Sequence, residues 1–155
     1  GIARLPKPAL RAKALLMIDR IVCYDPDGGD RGFGFVKGEK IVDPQEWFFG
    51  AHFYQDPVCP GSLGLESFLQ LVKFAALRRF PDRTEGFCFA PLLGEKHRWT
   101  YRGQILPANR RITVEAVITR IEDKPDPLLT ADGLLRVDGL AIYQMENFGI
   151  RLIRT

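Results

Sequence analysis

The chain has 155 residues, of which 46% are hydrophobic and 26% are charged, and its formal net charge is +3. This length and composition predict one folded domain over residues 1–155 and exclude a disordered chain. The charge is too small to favour nucleic acid, although it is compatible with an acidic partner. No apolar run approaches the roughly eighteen residues of a membrane span, so we expect a cytoplasmic protein with no membrane segment and no signal peptide.

The three cysteines, Cys23, Cys59 and Cys88, are odd in number and lack C-x-x-C spacing. This pattern predicts thiols in a reducing cytosol rather than disulfides or a zinc site. The chain begins with Gly1 and not with Met, which suggests either a removed tag or a domain cut from a longer polypeptide.

The first part of the chain predicts an extended lead-in followed by a β-hairpin. Residues 1–14 are basic and contain two prolines, and we expect them to be extended. Residues 15–24 are rich in aliphatic side chains and predict a first strand, and residues 32–42 alternate well enough for a second. The Asp-Pro-Asp-Gly-Gly sequence at 25–29 indicates a turn between them. Residues 43–49 then predict a short turn or helix.

One long helix is predicted from Ser62 to about Phe80. It is apolar on most of its circumference, and its polar residues Glu66, Gln70 and Lys73 fall at i, i+4 and i+7, on a single stripe. A helix this apolar must be surrounded, which a sheet wrapped around it would achieve.

The chain after this helix is rich in β-structure. Residues 112–119 alternate close to the period of two that is typical of a half-buried strand. Residues 134–137 and 140–145 are joined by Asp-Gly at 138–139, among the strongest short hairpin signals. A hairpin, a central helix and several antiparallel strands predict an α+β fold.

Residues 47–70 hold the candidate chemistry. The segment contains His52, one of two histidines, then a Pro60-Gly61 turn, and then Glu66, fourteen residues after the histidine. A titratable base, a turn of backbone N–H groups and a carboxylate are the parts needed to move a proton beside a carbonyl.

Each of these residues also has a structural explanation. His52 stands among aromatic side chains, where a histidine is more often packed than catalytic. Glu66 could simply stabilise the helix dipole, and its stripe with Gln70 and Lys73 equally permits an exposed face. The apolar helix favours partial burial of Glu66, however, and a buried carboxyl tends to stay protonated and can act as an acid. Gly61, at the helix start, can present an unpaired N–H to a ligand carbonyl.

The remaining candidates are weaker. Cys59 could be a nucleophile paired with His52, but it precedes a proline and lacks an orienting third group. His97 is expected to be an exposed surface residue. Pro57 and Pro60 are expected to rigidify the loop that positions His52.

The sequence WFFGAHFYQDPVCPGSLGLESFLQ at 47–70 resembles the signature of the β-hydroxyacyl-thioester dehydratases of the hotdog fold, in the branch of the bacterial 3-hydroxydecanoyl-ACP dehydratase. LMIDRIV at 16–22, GQILP at 103–107 and VDGLAIY at 137–143 also resemble that family, so nearly the whole chain is covered. PGSLGLE at 60–66 is especially similar to dehydratase domains of polyunsaturated fatty acid and polyketide-type synthases.

The resemblance implies a hotdog fold, with a long central helix wrapped by a curved antiparallel sheet. It implies that His52 removes a proton from C2 of a 3-hydroxyacyl thioester and that Glu66 protonates the departing C3 hydroxyl, giving water and a trans-2-enoyl product. The N–H of Gly61 would polarise the thioester carbonyl, Gln70 would orient Glu66, and Pro60 would support the turn.

The resemblance also implies partners. The substrate would arrive on the phosphopantetheine arm of an acyl carrier protein, with no metal or redox cofactor. In this family the histidine and the acid facing it come from different subunits or hotdog halves, which implies a homodimer or a second hotdog domain, with an apolar acyl tunnel at the interface. The decanoyl-type enzymes usually carry aspartate in place of Glu66, so isomerase activity stays open, as does acyl-chain length.

Three other functions are less consistent with the sequence. A non-catalytic hotdog half that completes a pseudo-dimer and binds the carrier has no reason to keep both His52 and Glu66. An acyl-thioester hydrolase would normally place its carboxylate differently and would not need this histidine. Residues 31–38 match seven of eight positions of the octapeptide of RNA-recognition motifs, but Gly38 stands where an aromatic is required, so RNA binding is the least favoured.

Overall fold

The computed structural model of the chain describes residues 13–83 and 85–155. The predicted lead-in at 1–14 lies almost entirely outside these residues. The elements, in chain order, are a 3-10 turn Lys13–Leu15, β1 Arg20–Asp25, β2 Phe35–Ile41, α1 Trp47–Ala51, α2 Gly61–Arg79, a 3-10 turn Pro81–Arg83, β3 Phe87–Pro91, β4 Arg98–Tyr101, β5 Arg111–Glu122, β6 Leu128–Val137 and β7 Leu140–Arg154.

The seven strands form one antiparallel sheet in the order β1-β2-β5-β6-β7-β3, and β4 also pairs with β7. The long strand β7 has two partners on the same edge: its residues 143–146 pair with β4 and its residues 150–154 pair with β3. Register shifts interrupt the pairing of β5 with β6 and of β6 with β7, and such irregularities bend a sheet. The sheet can therefore curl around the helix.

The helix α2 packs against this sheet, on strands β2, β5, β6 and β7. Phe68, Leu71 and Val72 are completely buried, and the ring of Phe68 fits against β6 because Gly133 has no side chain: a Cβ there would lie 2.6 Å from Phe68 Cδ1. Truncation of such a phenylalanine to alanine typically costs about 3–5 kcal/mol. The predicted helix and its surrounding sheet are thus confirmed.

The predicted α+β fold class is confirmed, with corrections to the first two strands. The first strand was predicted from residue 15 but begins at Arg20, because Met17 and Ile18 are buried in the core instead. The second begins at Phe35, because Gly32 and Gly34 have positive φ angles of 67° and 133° and belong to the preceding turn.

The predicted hairpin between β6 and β7 is confirmed. Asp138 and Gly139 have φ angles of 49° and 88°, as a two-residue type I′ turn requires. The carboxylate of Asp138 also accepts hydrogen bonds from the backbone N–H groups of Arg110 and Arg111 at 3.0 and 2.9 Å. This turn is therefore fixed both by its backbone and by its side chain.

Candidate active site

His52 ends α1 and begins a loop that closes on itself. The backbone oxygen of His52 accepts a hydrogen bond from the N–H of Val58 at 2.8 Å, and the ring Nδ1 lies 3.2 Å from the carbonyl oxygen of Val58. Because a carbonyl oxygen can only accept, Nδ1 carries the proton and donates it. The neutral ring then has its lone pair on Nε2, which is the nitrogen that can act as a base.

Pro60 and Gly61 form the start of α2. Pro60 is the N-cap residue, and its carbonyl oxygen accepts hydrogen bonds from the N–H groups of Leu63 at 3.0 Å and Gly64 at 3.4 Å. The first N–H groups of a helix have no acceptor within it, and none of the described residues accepts a hydrogen bond from Gly61. Its N–H is therefore available to a ligand carbonyl, where the helix dipole favours negative charge.

Glu66 lies in the second turn of α2 and is partly buried, as the sequence predicted, with 17% of its side chain exposed. Its Oε1 lies 2.9 Å from the Nζ of Lys73 and accepts a longer hydrogen bond, 3.3 Å, from the Nε2 of Gln70. The carboxyl group therefore lies beside the side-chain nitrogen of Lys73 rather than alone among apolar side chains.

Gln70 is 1% exposed and links α2 to the start of the described chain. Its Oε1 accepts a hydrogen bond from the N–H of Met17 at 2.9 Å, and its Nε2 donates to the carbonyl oxygen of Leu15 at 2.8 Å. The exposed helix face that the sequence also permitted for Gln70 and Lys73 is therefore wrong, because both side chains are buried.

Aromatic side chains of β4 and β7 cover the first turns of α2. A Cβ on Gly61 would lie 2.8 Å from Cη2 of Trp99, and a Cβ on Gly64 would overlap the ring of Tyr143. The ring of Tyr143 stacks on that of Tyr101, with centroids 5.0 Å apart, and the ring of Trp99 meets both edge-on. Only glycine fits at positions 61 and 64 beneath these rings. Sequence reasoning missed this aromatic cover, which depends on the pairing of β4 with β7.

Cys59 is 1% exposed, and burial raises the pKa of its thiol to about 12, with a further rise from the carboxylate of Glu46 and an opposing effect of Lys40. A thiol in this state is not a thiolate at neutral pH, and only the thiolate is a good nucleophile. The burial of Cys59 therefore argues against a nucleophilic role, in agreement with the expectation from the sequence. His97, directly before β4, is exposed as predicted.

The structure brings Glu66, Gln70 and Lys73 into one cluster and places Gly61 at the start of the same helix. Among the described residues, the ring of His52 interacts with Val58 and lies against the ring of Phe53, with centroids 3.8 Å apart and the planes tilted by 30°. Within residues 13–83 and 85–155, no three histidine, cysteine or acidic side chains lie together as a metal site.

The antiparallel sheet wrapped around α2, with a histidine before the helix and a carboxylate in its second turn, defines the chain as a hotdog domain. Residues 10–146 match the family model of the FabA-like domain, so the chain belongs to the FabA-like domain family. The predicted membership of the hotdog-fold dehydratases is therefore confirmed.

One relative is a component of the polyunsaturated fatty acid synthase of Thraustochytrium sp., to which the chain is 38% identical over 127 residues. The match covers 80% of this chain and 8% of the relative, so the chain spans a small part of the length of that protein.

Solved structures share the fold at low identity. The dehydratase heterocomplex ApeI:P from Xenorhabdus doucetiae matches with a TM-score of 0.63 at 12% identity, over 94% of this chain and 86% of that one. AziG from S. sahachiroi matches with a TM-score of 0.55 at 12% identity, over 88% and 91%. The thioesterase HI1161 from Haemophilus influenzae matches with a TM-score of 0.51 at 10% identity, over 77% and 72%. Among the described residues, no helix is long and apolar enough to cross a membrane.

Proposed function

We propose that this domain dehydrates 3-hydroxyacyl thioesters, carried on an acyl carrier protein, to trans-2-enoyl thioesters during fatty acid or polyunsaturated fatty acid synthesis. The observation that carries the proposal is the orientation of His52, whose Nδ1–H is bonded to the Val58 carbonyl so that Nε2 keeps its lone pair. A neutral histidine in this orientation can accept a proton at Nε2.

In the proposed reaction, Nε2 of His52 takes a proton from C2 while the C3–O bond breaks and Glu66 gives its proton to the departing hydroxyl, which leaves as water. Negative charge that builds on the thioester oxygen is stabilised by the N–H of Gly61, an effect that can be worth about 3 kcal/mol for one donor. Each turnover leaves His52 protonated and Glu66 ionised, so one proton must return to Glu66 before the next. No metal or redox cofactor takes part.

The proposed active site is shared between two hotdog domains. Among the described residues, His52 bonds to Val58 and Glu66 bonds to Lys73 and Gln70, and we infer that a second copy, or a second hotdog domain of the same synthase, supplies the residue that faces each. The acyl chain would have apolar surface nearby, because a pocket of about 180 Å³ lies beside α2 and is lined mainly by Leu65, Leu69, Leu92, Met145 and Phe148.

The test is to incubate the protein with a 3-hydroxyacyl pantetheine thioester and to follow formation of the conjugated enoyl product, beside His52→Ala and Glu66→Gln. Turnover by the unaltered protein and its loss in both variants is the expected result. Glu122→Gln is the matched control for Glu66→Gln, because the carboxylate of Glu122 is exposed at the end of β5 and lies outside the proposed site. Release of free thiol would point instead to a hydrolase, and inactivity with the substrate bound would point to the non-catalytic half.

A further inference from the structure

Lys73 is a buried lysine, with only 6% of its surface exposed. The other buried residues of α2 are apolar, glycine or neutral polar: Leu63, Gly64, Ser67, Phe68, Gln70, Leu71, Val72, Ala75 and Ala76. Lysine is almost never buried to this degree unless it is paired. Its presence in this helix therefore needs a specific reason.

The ammonium of Lys73 has a defined partner. Its Nζ lies 2.9 Å from Oε1 of Glu66, seven residues earlier on the same face of α2. The same oxygen accepts the Nε2–H of Gln70 at 3.3 Å, and Gln70 is itself fixed by its hydrogen bonds to Met17 and Leu15. Among the described residues, the carboxyl of Glu66 is therefore positioned by Lys73 and Gln70, both of which are buried.

Stability does not explain this pair. Taking an ammonium and a carboxylate out of water costs more than their attraction reliably returns, and apolar residues of similar volume often replace such pairs without loss. Apolar side chains in place of both Glu66 and Lys73 would fit a helix whose other buried residues are mostly apolar. Lys73 is a buried, paired charge next to a candidate catalytic carboxyl. This position indicates a role in the reaction of that carboxyl.

We propose that Lys73 is a positioning residue that stabilises the carboxylate formed when Glu66 gives its proton to the departing hydroxyl. This inference rests on the proposed function. In that step the O–H bond of Glu66 breaks, the leaving oxygen takes the proton and departs as water, and Glu66 becomes an anion facing the ammonium. An interaction that becomes stronger as the charge develops stabilises the transition state more than the ground state, and it therefore accelerates the step. An interaction that is equally strong in both states does not.

The test compares Lys73→Met and Lys73→Arg with the unaltered protein, and repeats Lys73→Met in a Glu66→Gln background under single-turnover conditions. We expect Lys73→Met to lower kcat about tenfold or more, with KM changed by less than about threefold, because an interaction made in the transition state is lost. Lys73→Arg, which keeps the charge, should recover part of kcat. In the Glu66→Gln background, Lys73→Met should change the rate less than about twofold, because residues that act through one another are not additive.

Lys40→Met is the matched control. Lys40 is also buried, at 7% exposed, and its Nζ pairs with Glu46 at 2.7 Å and Asp19 at 3.4 Å. Thermal unfolding of every variant separates loss of structure from loss of function. Lys40→Met should lower the unfolding temperature without changing kcat per folded molecule.

The outcomes separate this inference from the function on which it rests. If Lys73→Met lowered the dehydration rate equally in the unaltered and the Glu66→Gln backgrounds, the proposed role of Lys73 would be wrong. The same would hold if unfolding alone explained the lower rate, or if kcat were unchanged in Lys73→Met. None of these results would contradict the proposed dehydratase function. No dehydration by the unaltered protein would overturn the proposed function and this role with it.

Discussion

His52 and Val58 are hydrogen-bonded to each other twice, once through the backbone and once through the imidazole. The Val58 N–H donates to the His52 carbonyl oxygen at 2.8 Å, and Nδ1 of His52 donates to the Val58 carbonyl oxygen at 3.2 Å. The two bonds close the loop and fix the ring together. The orientation of the candidate base is therefore set by hydrogen bonds within this loop.

The variant His52→Asn tests the roles of the two ring nitrogens separately. The Asn amide N–H can occupy the place of Nδ1–H and keep the bond to Val58, but nothing replaces Nε2. We expect the free energy of unfolding to fall by less than about 1 kcal/mol and the dehydration rate to fall by about 10²–10⁴, the usual contribution of a general base. Chemical denaturation and enoyl formation measure the two effects. Near-normal turnover in His52→Asn would exclude His52 as the base.

Cys59 should make the protein sensitive to alkali. Burial raises the pKa of the folded-state thiol from its ordinary 9.0 to about 12, so between these pH values the unfolded chain binds fewer protons than the folded one. Ionisation of Cys59 therefore does not affect the free energy of unfolding below about pH 9, and it lowers this free energy as the pH rises further. The free energy of unfolding of both proteins should be measured at about pH 8 and pH 10. We expect its decrease over this interval to be about 1 kcal/mol smaller in Cys59→Ala than in the unaltered protein.

The same burial protects Cys59 from alkylation. Cys23 is exposed and Cys88 is half-buried, so iodoacetamide should modify Cys23 first and should leave Cys59 unmodified until the protein unfolds. Peptide mapping after brief treatment near neutral pH gives the order. Early modification of Cys59 in the folded protein would show that its thiol is neither buried nor inert.

Gly64→Ala should destabilise the protein through the ring of Tyr143, with which the added methyl group would overlap. Forcing a methyl group into a well-packed contact typically costs about 1–3 kcal/mol. Gly50→Ala, in α1, is the control, since no atom lies within 4 Å of the position of its Cβ and alanine favours a helix. Thermal unfolding of both variants checks this contact, and equal stabilities would show that Tyr143 does not pack on α2.

Some of this architecture could be predicted from local sequence. The apolar stretch after Gly61 predicts a covered helix, because no other environment accepts so few polar residues. Asp138-Gly139 predicts its hairpin, since few residue pairs adopt positive φ at both positions. The spacing of Glu66, Gln70 and Lys73 places them on one stripe of the helix. In each case the structural feature is determined by residues that are close to it in the sequence.

The features that sequence reasoning missed depend on contacts between distant segments. Helical periodicity places Lys73 on the stripe of Glu66 but does not say that this stripe is buried, because the burial depends on what covers it. Met17 and Ile18 have the composition of a strand, yet they enter the core beside α2, where the Met17 N–H bonds to Gln70. Tertiary packing overrides local propensity at such positions.

Tyr143 supplies a test of the aromatic cover itself. The residue is 1% exposed, and its hydroxyl makes no hydrogen bond of normal geometry among the described residues, although the side chain of Tyr101 lies close enough to interact with it. Burial raises the pKa of this phenol, and the neighbouring Tyr101 and Cys59 raise it further. An unpaired buried hydroxyl costs about 1–3 kcal/mol, so Tyr143→Phe, which keeps the ring and removes the hydroxyl, should leave the free energy of unfolding unchanged or increase it.

The matched comparison is Tyr143→Leu, which also removes the ring that stacks on Tyr101. We expect this variant to lose about 1–3 kcal/mol, because the remaining side chain leaves a cavity beneath β4. Urea denaturation of both variants distinguishes the two contributions. A large loss of stability in Tyr143→Phe would mean that the hydroxyl has a partner, such as a buried water molecule, and that the first turns of α2 are fixed by a hydrogen bond as well as by ring packing.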